Sequence, residues 1–395
     1  MRVDVVIVGA GPAGCFVGKI LAEHGLKVAI VEEHAEVGRP VCCTGIVGLE
    51  GLRELGIKPG KWALGKLRGA AIYPPSNNPI RLTRRKVEAL VIDRASFDRS
   101  LANAATEAGA TLLLKTRCVG LSLGSEPSVK IRGGEKNELR ARVVIGADGP
   151  LSLVARRANL LIRSKYIKCA QVETKADVAE DIAEVYLGRS FAPGFFGWMV
   201  KAGEVCRVGL GTATGNPKQL LEYFLFQHPV VSRRIEGGVF SQCVGLIPEC
   251  LSRRIQDGAV LLVGDAAGEI KPLTGGGLYI GLSCAKMAAE AVVGAVESGK
   301  LEKLEDYQRA VMDRFGAEFT VGSRLKKFFD QMSDEDLDFL SQLLEREDIR
   351  KLVLENFDFD HHEKLFSVFL VKAPEILKSL GIRRALKYVK LLAKP

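Results

Sequence analysis

The sequence predicts an α/β fold, α+β over the whole chain: a Rossmann-like parallel-sheet domain, an antiparallel β-rich domain and a C-terminal helical region. Three observations carry this reading. The first thirty residues run strand, glycine turn, helix, strand and acid. Tyr166 to about Gln242 is rich in β-formers punctuated by glycine. After Leu301 the composition changes to charged, leucine-periodic helices, as in Leu337, Leu340, Leu343 and Leu344.

Composition bounds what else the chain can be. Its 395 residues hold 56 Lys and Arg against 47 Asp and Glu, a formal charge of +9, with 47% hydrophobic and 26% charged residues. That is ordinary globular composition, which excludes a disordered, collagenous or disulfide-scaffold protein and leaves room for two domains. The apolar run Val3 to Val8 begins beside Asp4 and ends in a glycine turn, so it does not read as a signal peptide, and a cytoplasmic location is expected. The best candidate for a membrane span, Gly276 to Val296, carries Lys286 and Glu290 and reads as a packed helix. Nine cysteines with no pair of CxxC motifs give neither a disulfide framework nor a metal site. The mild positive balance has no basic run with interleaved aromatics, so nucleic acid is not an expected partner, while an anionic membrane surface stays open.

The elements follow in order. Val3 to Val8 is a strand, Gly9-Ala10-Gly11-Pro12-Ala13-Gly14 a glycine turn, Ile20 and Leu21 lie in the helix it opens, and Val28 to Val31 is a second strand closing on Glu32. In this order Gly9 permits the tight turn, Gly11 lets the backbone approach a pyrophosphate and Gly14 lets helix and strand pack closely. The phosphates would sit at the helix N-terminus, and Glu32 would accept from the adenosine ribose. NAD and FAD both use this unit, and these residues do not choose between them. Gly69 to Val91, alternating around Pro74-Pro75-Ser76-Asn77-Asn78-Pro79, reads as a hairpin leaving the first domain. Cys169–Thr174, Ile182–Leu187, Trp198–Val200 and Val205–Leu210 read as strands of a mostly antiparallel sheet, interrupted by a helical pattern from Asn216 to His228. Asp265 ends the apolar strand Ala259 to Val263, and Gly275-Gly276-Gly277 opens the next helix with amides free to face an anionic ring. Ala373 to Lys394 has the pattern of a basic amphipathic helix, which reads either as a packed terminal element or as one lying on an anionic membrane.

Three segments together resemble the fingerprints of flavoproteins with the para-hydroxybenzoate hydroxylase fold, along roughly the first three hundred residues. They are Val91-Ile92-Asp93-Arg94 with Phe97, Asp98 and Leu101; Val143 to Gly149 with Asp148, Ser152 and Arg156; and Val263-Gly264-Asp265-Ala266-Ala267-Gly268. Within that fold the sequence is closely similar to the geranylgeranyl reductase family. Pro40-Val41-Cys42-Cys43-Thr44-Gly45-Ile46 resembles its cysteine-glycine loop, and Gly264 to Gly281 resembles its Gly-Asp-Ala-Ala-Gly segment with Lys-Pro and Thr-Gly-Gly-Gly downstream. Pro193, Phe196 and Trp198 stand where the family has Pro-x-x-Tyr-x-Trp-x-Phe-Pro, with Phe196 replacing the tyrosine, Val200 the phenylalanine and Lys201 the last proline. The apolar wall is kept and a phenol is lost.

The resemblance implies FAD as cofactor, with contacts from Ala13, Glu32, Cys43, Thr44, Ile46, Arg94, Cys118, Asp265, Gly277 and Leu278, beside Gly9, Gly11, Gly14, Asp148 and Gly276. It implies saturation of isoprenoid double bonds, first on archaeal-type phospholipid precursors, with an isoprenoid lipid as substrate, an external electron donor, and Phe196 and Trp198 against the chain being reduced. A peripheral position on the inner face of the membrane goes with the basic tail. Cys43 is the candidate proton donor, since a thiol titrates near enough to neutrality to act; the plain alternative is a small residue in a tight loop. Two other readings compete: an aromatic monooxygenase or halogenase of the same fold, and a non-catalytic lipid-binding flavoprotein. The expected domains are a discontinuous FAD-binding domain (1–65, 93–160 and 255–300), a β-rich substrate or lid domain (66–92 and 161–254) and a helical region (301–395).

Overall fold

The computed structural model describes residues 1–124, 126–134, 136–160 and 165–365. The chain divides into two compact units, Met1–Val41, Asp93–Tyr166 and Ile247–Phe319 in one, and Cys42–Ile92, Ile167–Leu246 and Thr320–Pro395 in the other.

The first unit is built on a six-stranded sheet in the order Gln256–Asp257, Val260–Leu262, Val143–Gly146, Val5–Val8, Val28–Val31, Thr111–Leu113. All neighbours are parallel except the edge strand Gln256–Asp257. Val5–Val8, Val28–Val31, Val143–Gly146 and Val260–Leu262 are buried at every position, which is why they read as unbroken β-branched runs and not as alternation. The helix Pro12–Glu23 packs against Leu278–Ser298 and Arg94–Glu107. Leu278–Ser298, long and apolar enough to cross a membrane by composition, is mostly buried inside the protein. A small antiparallel sheet of Arg117–Ser122, Ser128–Arg132 and Glu138–Arg140 completes the unit.

The second unit holds a seven-stranded sheet in the order Ser241–Pro248, Tyr166–Thr174, Val205–Thr212, Gly197–Ala202, Ile182–Tyr186, Gly69–Tyr73, Ile80–Thr83. The last two strands are the expected hairpin, and the join of Gly69–Tyr73 to Ile182–Tyr186 is parallel. The helical pattern after Asn216 is the helix Pro217–Phe226, started by the Asn216 side chain accepting from Lys218 N–H. A core of Tyr73, Tyr186, Phe191, Met199, Leu210 and Phe224 lies on one face of this sheet.

Two expected boundaries move. Residues 42–65 belong to the second unit, because Ile46–Gly48 and Ala63–Leu67 pair on either side of Ala89–Ile92 in a three-stranded sheet. The helical region is no separate body either: Glu305–Asp330 is divided at Phe319 between the units, and Asp334–Glu345 and Glu347–Asn356 fall in the second. Ser333 and Asp336 close a reciprocal capping box at the start of Asp334–Glu345. The basic segment Ala373 to Lys394 lies outside the described residues.

Candidate active site

In the first unit the glycine turn is fixed by steric necessity. Gly9 sits at φ +102°, and a Cβ there would stand 2.3 Å from the Ala147 carbonyl oxygen, while one on Gly14 would stand 2.1 Å from that of Gly9. Both glycines answer to the packing of helix on sheet. Gly11 answers to something else. Nothing lies within 4 Å of where its Cβ would be, and it caps Pro12–Glu23 with no side chain. The unpaired amides of the first turn, which includes Ala13, therefore open onto free space at the positive end of the helix.

Glu32 is tied to this turn: its Oε2 accepts from Ala10 N–H at 2.9 Å. Its Oε1 accepts from His34 N–H at 2.9 Å and lies 2.7 Å from His34 Nδ1. The sequence marked Glu32 and gave no sign of His34, whose contact arises only where the chain bends after the strand.

The third motif meets the first. A Cβ on Gly264 would lie 3.2 Å from the Ala13 Cβ. Asp265, half-buried on the short turn Gly264–Ala266, makes no side-chain hydrogen bond with any described residue; burial raises its pKa and Arg94 opposes the rise. A Cβ on Gly277 would come within 3.2 Å of Asp265 Oδ1, so the glycine keeps space open at the carboxylate. Gly277 caps Leu278–Ser298 with no side chain, which leaves the amides of that helix's first turn without a side-chain acceptor. Gly276 is exposed beside it, its carbonyl accepting from Lys271 N–H at 3.1 Å.

A residue the sequence did not single out holds this turn from below. Glu269 is fully buried, accepts from Gly264 N–H at 2.7 Å through Oε2, and receives the Tyr307 hydroxyl on Oε1. Burial pushes its carboxyl up to about 8, so it is largely protonated at neutral pH. Nothing in the local pattern separates Glu269 from a surface acid; its burial depends on Tyr307, reached 38 residues later.

Other expected contacts have defined surroundings. Arg94 forks onto Asp98, Nε to Oδ1 and Nη2 to Oδ2 at 3.1 Å each, an ion pair that opposes the burial raising the Asp98 pKa. Asp148 accepts from Ser152 Oγ at 2.5 Å, Leu153 N–H at 2.7 Å and Val154 N–H at 3.1 Å; its carboxylate is spent on starting the helix Leu153–Arg157. Cys118 is buried on its strand, its thiol pushed up to about 11 by burial.

In the second unit the cysteine loop is pinned from beneath by the large sheet. Gly45 takes φ +75°, and a Cβ there would stand 2.4 Å from Arg207 Nη1 and 2.6 Å from the Ile92 carbonyl oxygen. Arg207, buried on Val205–Thr212, donates from Nη1 to the carbonyls of Thr44 and Ile92 at 2.9 Å each and from Nε to Glu173 at 3.1 Å. Gln171 Nε2 donates to the Cys43 carbonyl at 3.2 Å, and Trp198 Nε1 donates to Gln171 Oε1 at 3.0 Å. Gly45 N–H donates to Cys43 Sγ at 3.3 Å. Ile46 then begins the strand Ile46–Gly48.

Of the two aromatics expected against the substrate, Phe196 and Trp198, only the first keeps exposed surface, and their neighbours are interior. Phe191 stacks on Phe224 in the core at 4.9 Å, and Phe195 is buried. Phe196 is half-exposed, stacked on Phe195 at 4.2 Å and edge-on to Trp198 at 6.2 Å. Trp198 is itself buried over Gly209, where a Cβ would come within 2.6 Å of the indole. Of these four, Phe196 is the one that offers substantial surface.

The FAD binding domain family matches residues 2–209. The digeranylgeranylglycerophospholipid reductase of Methanothrix thermoacetophila is 37% identical over 90% of this chain and 94% of its own length. This chain belongs to the digeranylgeranylglycerophospholipid reductase family. A geranylgeranyl bacteriochlorophyll reductase-like protein from Thermoplasma acidophilum has a similar structure, with a TM-score of 0.84 and 28% identity, covering 96% of this chain and 98% of that one. A flavin-dependent brominase, at 16% identity and a TM-score of 0.73 over 96% of this chain and 100% of its own, shares the fold.

The cofactor of this reductase family member is FAD, and the first unit fits it. The open, side-chain-free start of Pro12–Glu23 suits a pyrophosphate, Glu32 a ribose, the Asp265 carboxylate, without a hydrogen-bond partner among the described residues, a ribityl hydroxyl, and the start of Leu278–Ser298, which has no side-chain cap, an electron-rich ring edge.

Proposed function

We propose that this chain is an FAD-dependent oxidoreductase of carbon–carbon double bonds that saturates the geranylgeranyl chains of archaeal-type membrane phospholipid precursors. One observation carries the choice among flavin chemistries. The reductase relative matches at 37% identity along 94% of its length, whereas the brominase likeness rests on 16% identity and speaks for the fold alone. The reading includes a cytoplasmic enzyme, an isoprenoid lipid as substrate, an external electron donor, and lipid reached at the inner face of the membrane. Leu278–Ser298 is mostly buried within the protein, so that helix is not the means of attachment.

When bound and reduced, FAD supplies the hydride; the chain's own residues do the rest. Asp265 and the two uncapped helix starts hold the cofactor's polar parts in fixed orientation without reorganisation. Phe196 offers apolar surface to an isoprenoid chain, which has little but buried area by which to be recognised. An isolated alkene is a poor hydride acceptor, so a proton must arrive with the hydride. Cys43 Sγ, half-exposed in a loop whose carbonyls are anchored by Gln171 and Arg207, is the group we assign to hold it.

The test is anaerobic turnover of dithionite-reduced enzyme with a digeranylgeranylglycerophospholipid, read by mass spectrometry. Gain of mass in steps of two hydrogens is expected. Lipid bound without any gain would favour a lipid-binding flavoprotein that does no chemistry. Rapid NADPH-driven flavin reduction stimulated by an aromatic compound would favour a monooxygenase. For the proton, Cys43→Ser should slow single-turnover reoxidation of reduced flavin by lipid by about a hundredfold, within the usual range for a lost general acid. An unchanged rate removes Cys43 from that role.

A further inference from the structure

Of the nine cysteines, five are buried and four, Cys42, Cys43, Cys243 and Cys250, are partly accessible. Two of those four touch. Cys42, the first residue of the loop Cys42–Gly45, and Cys243, on the edge strand Ser241–Pro248, have their sulfurs 2.6 Å apart although 201 residues separate them. The approach is shaped by the backbone: a Cβ on Gly245 would stand 3.3 Å from the Cys42 Cβ, so the strand meets the loop at a position with no side chain. The contact between the sulfurs holds the Cys243 thiol below its ordinary value, against burial and Glu173 and with a smaller lowering from Arg207, and holds the Cys42 thiol above it. One sulfur is thus biased toward the thiolate, with the second in contact and solvent able to reach both.

We propose that Cys42 and Cys243 are a redox-sensitive dithiol, oxidised to a disulfide by external low-molecular-weight disulfides and restored by dithiols. The exchange balances in two steps. The Cys243 thiolate attacks a sulfur of the external disulfide, forming a mixed disulfide and releasing one thiolate. Cys42, giving up its proton, attacks the Cys243 sulfur of the mixed disulfide and releases the second. The protein loses two electrons and two protons, and the external disulfide becomes two thiols. The new bond ties the loop Cys42–Gly45, already held from below by Arg207 and Gln171, to the sheet edge as well. On the reductase reading that loop carries Cys43, the proposed proton donor, so oxidation restrains the part of the second unit assigned to chemistry. Cys43 makes no such contact: its sulfur accepts from Gly45 N–H.

The test uses the FAD-loaded full chain, incubated with oxidised glutathione or with dithiothreitol, alkylated, digested and mapped by tandem mass spectrometry. A cross-link between the peptide containing Cys42 and that containing Cys243 is expected after glutathione and absent after dithiothreitol. It should persist in Cys43→Ser and vanish in Cys42→Ser and in Cys243→Ser. Glutathione adducts without a cross-link, or a cross-link that survives in Cys42→Ser, would overturn the assignment. Amide exchange at Thr44 and Gly45 should slow at least threefold on oxidation, and equal rates in both states would overturn the tie between loop and sheet edge. Neither readout involves alkene reduction, so failure here leaves the reductase reading standing, and failure of that reading leaves this one testable.

Discussion

Asp265 differs from every other acid named at the site in having no side-chain hydrogen-bond partner among the described residues, though Arg94 acts on it electrostatically. Glu32 is engaged with Ala10 and His34, Asp98 with Arg94, Asp148 with a helix start, and Glu269 with Gly264 and Tyr307. A buried acceptor left open is costly unless a ligand fills it. Asp265→Ala should therefore weaken FAD binding by about tenfold to a hundredfold, the loss of one charge-assisted hydrogen bond, while Asp265→Asn, which keeps an acceptor, should lose less. Flavin absorbance per protein after dialysis checks both. Trp198→Phe makes a different point. It removes the N–H that serves Gln171 Oε1 and leaves that oxygen inside the unit without its donor, at a cost of about 1–3 kcal/mol. The denaturant midpoint should fall, and alkylation of Cys43 should speed up, because Gln171 also holds the Cys43 carbonyl. Sequence was a good guide where a role is local: Gly9 and Gly14 sit in a strand-turn-helix order, and close packing is what their backbone positions require. It was silent on Gln171 and Arg207, since a polar residue on a strand reveals nothing of what the opposite end of the chain will present to it.

At the level of elements, the turn Gly264–Ala266 is held by a carboxyl that keeps its proton. Glu269 titrates near 4.5 when exposed and near 8 when buried, so between those values the folded chain binds a proton that the unfolded chain has released. The sign follows: this contribution is complete below about pH 4.5 and is lost as pH rises through about 8. Glu269→Gln retains the hydrogen-bonding shape and removes the titration. Its melting temperature should match the parent's at pH 5 and exceed it increasingly toward pH 8; a constant difference across that range would show that Glu269 does not carry its proton into neutral solution. Most elements were readable because their signals are local. The helix after the glycine turn, the helical pattern from Asn216 to His228 and the hairpin around Pro74 and Pro75 all appear where expected. The aromatic run Phe191–Trp198 was harder, as large apolar side chains look alike whether they line a pocket or fill a core.

Over the whole molecule, fingerprints located the nucleotide-binding unit but not its edges. The transfer of residues 42–65 to the second unit depends on Ile46–Gly48 pairing with Ala89–Ile92, a partnership no window of sequence displays. The chain enters the first unit three times, and its central sheet is completed only by Val260–Leu262, which lies beside Val143–Gly146 in the register Val144↔Val260. Until that strand arrives, Val143–Gly146 is an apolar edge with its hydrogen-bonding groups unpaired. A fragment of residues 2–209, the span matching the FAD binding domain family, should therefore aggregate when expressed alone and remain in solution once extended through the helix Leu278–Ser298, as judged by sedimentation. On the ribosome the same geometry sets an order of events. More than half the polypeptide must emerge before Val143–Gly146 finds its second neighbour, so the early chain spends part of its synthesis with a sticky seam exposed, and a cell making this enzyme has to shield that seam until translation passes the strand that closes it.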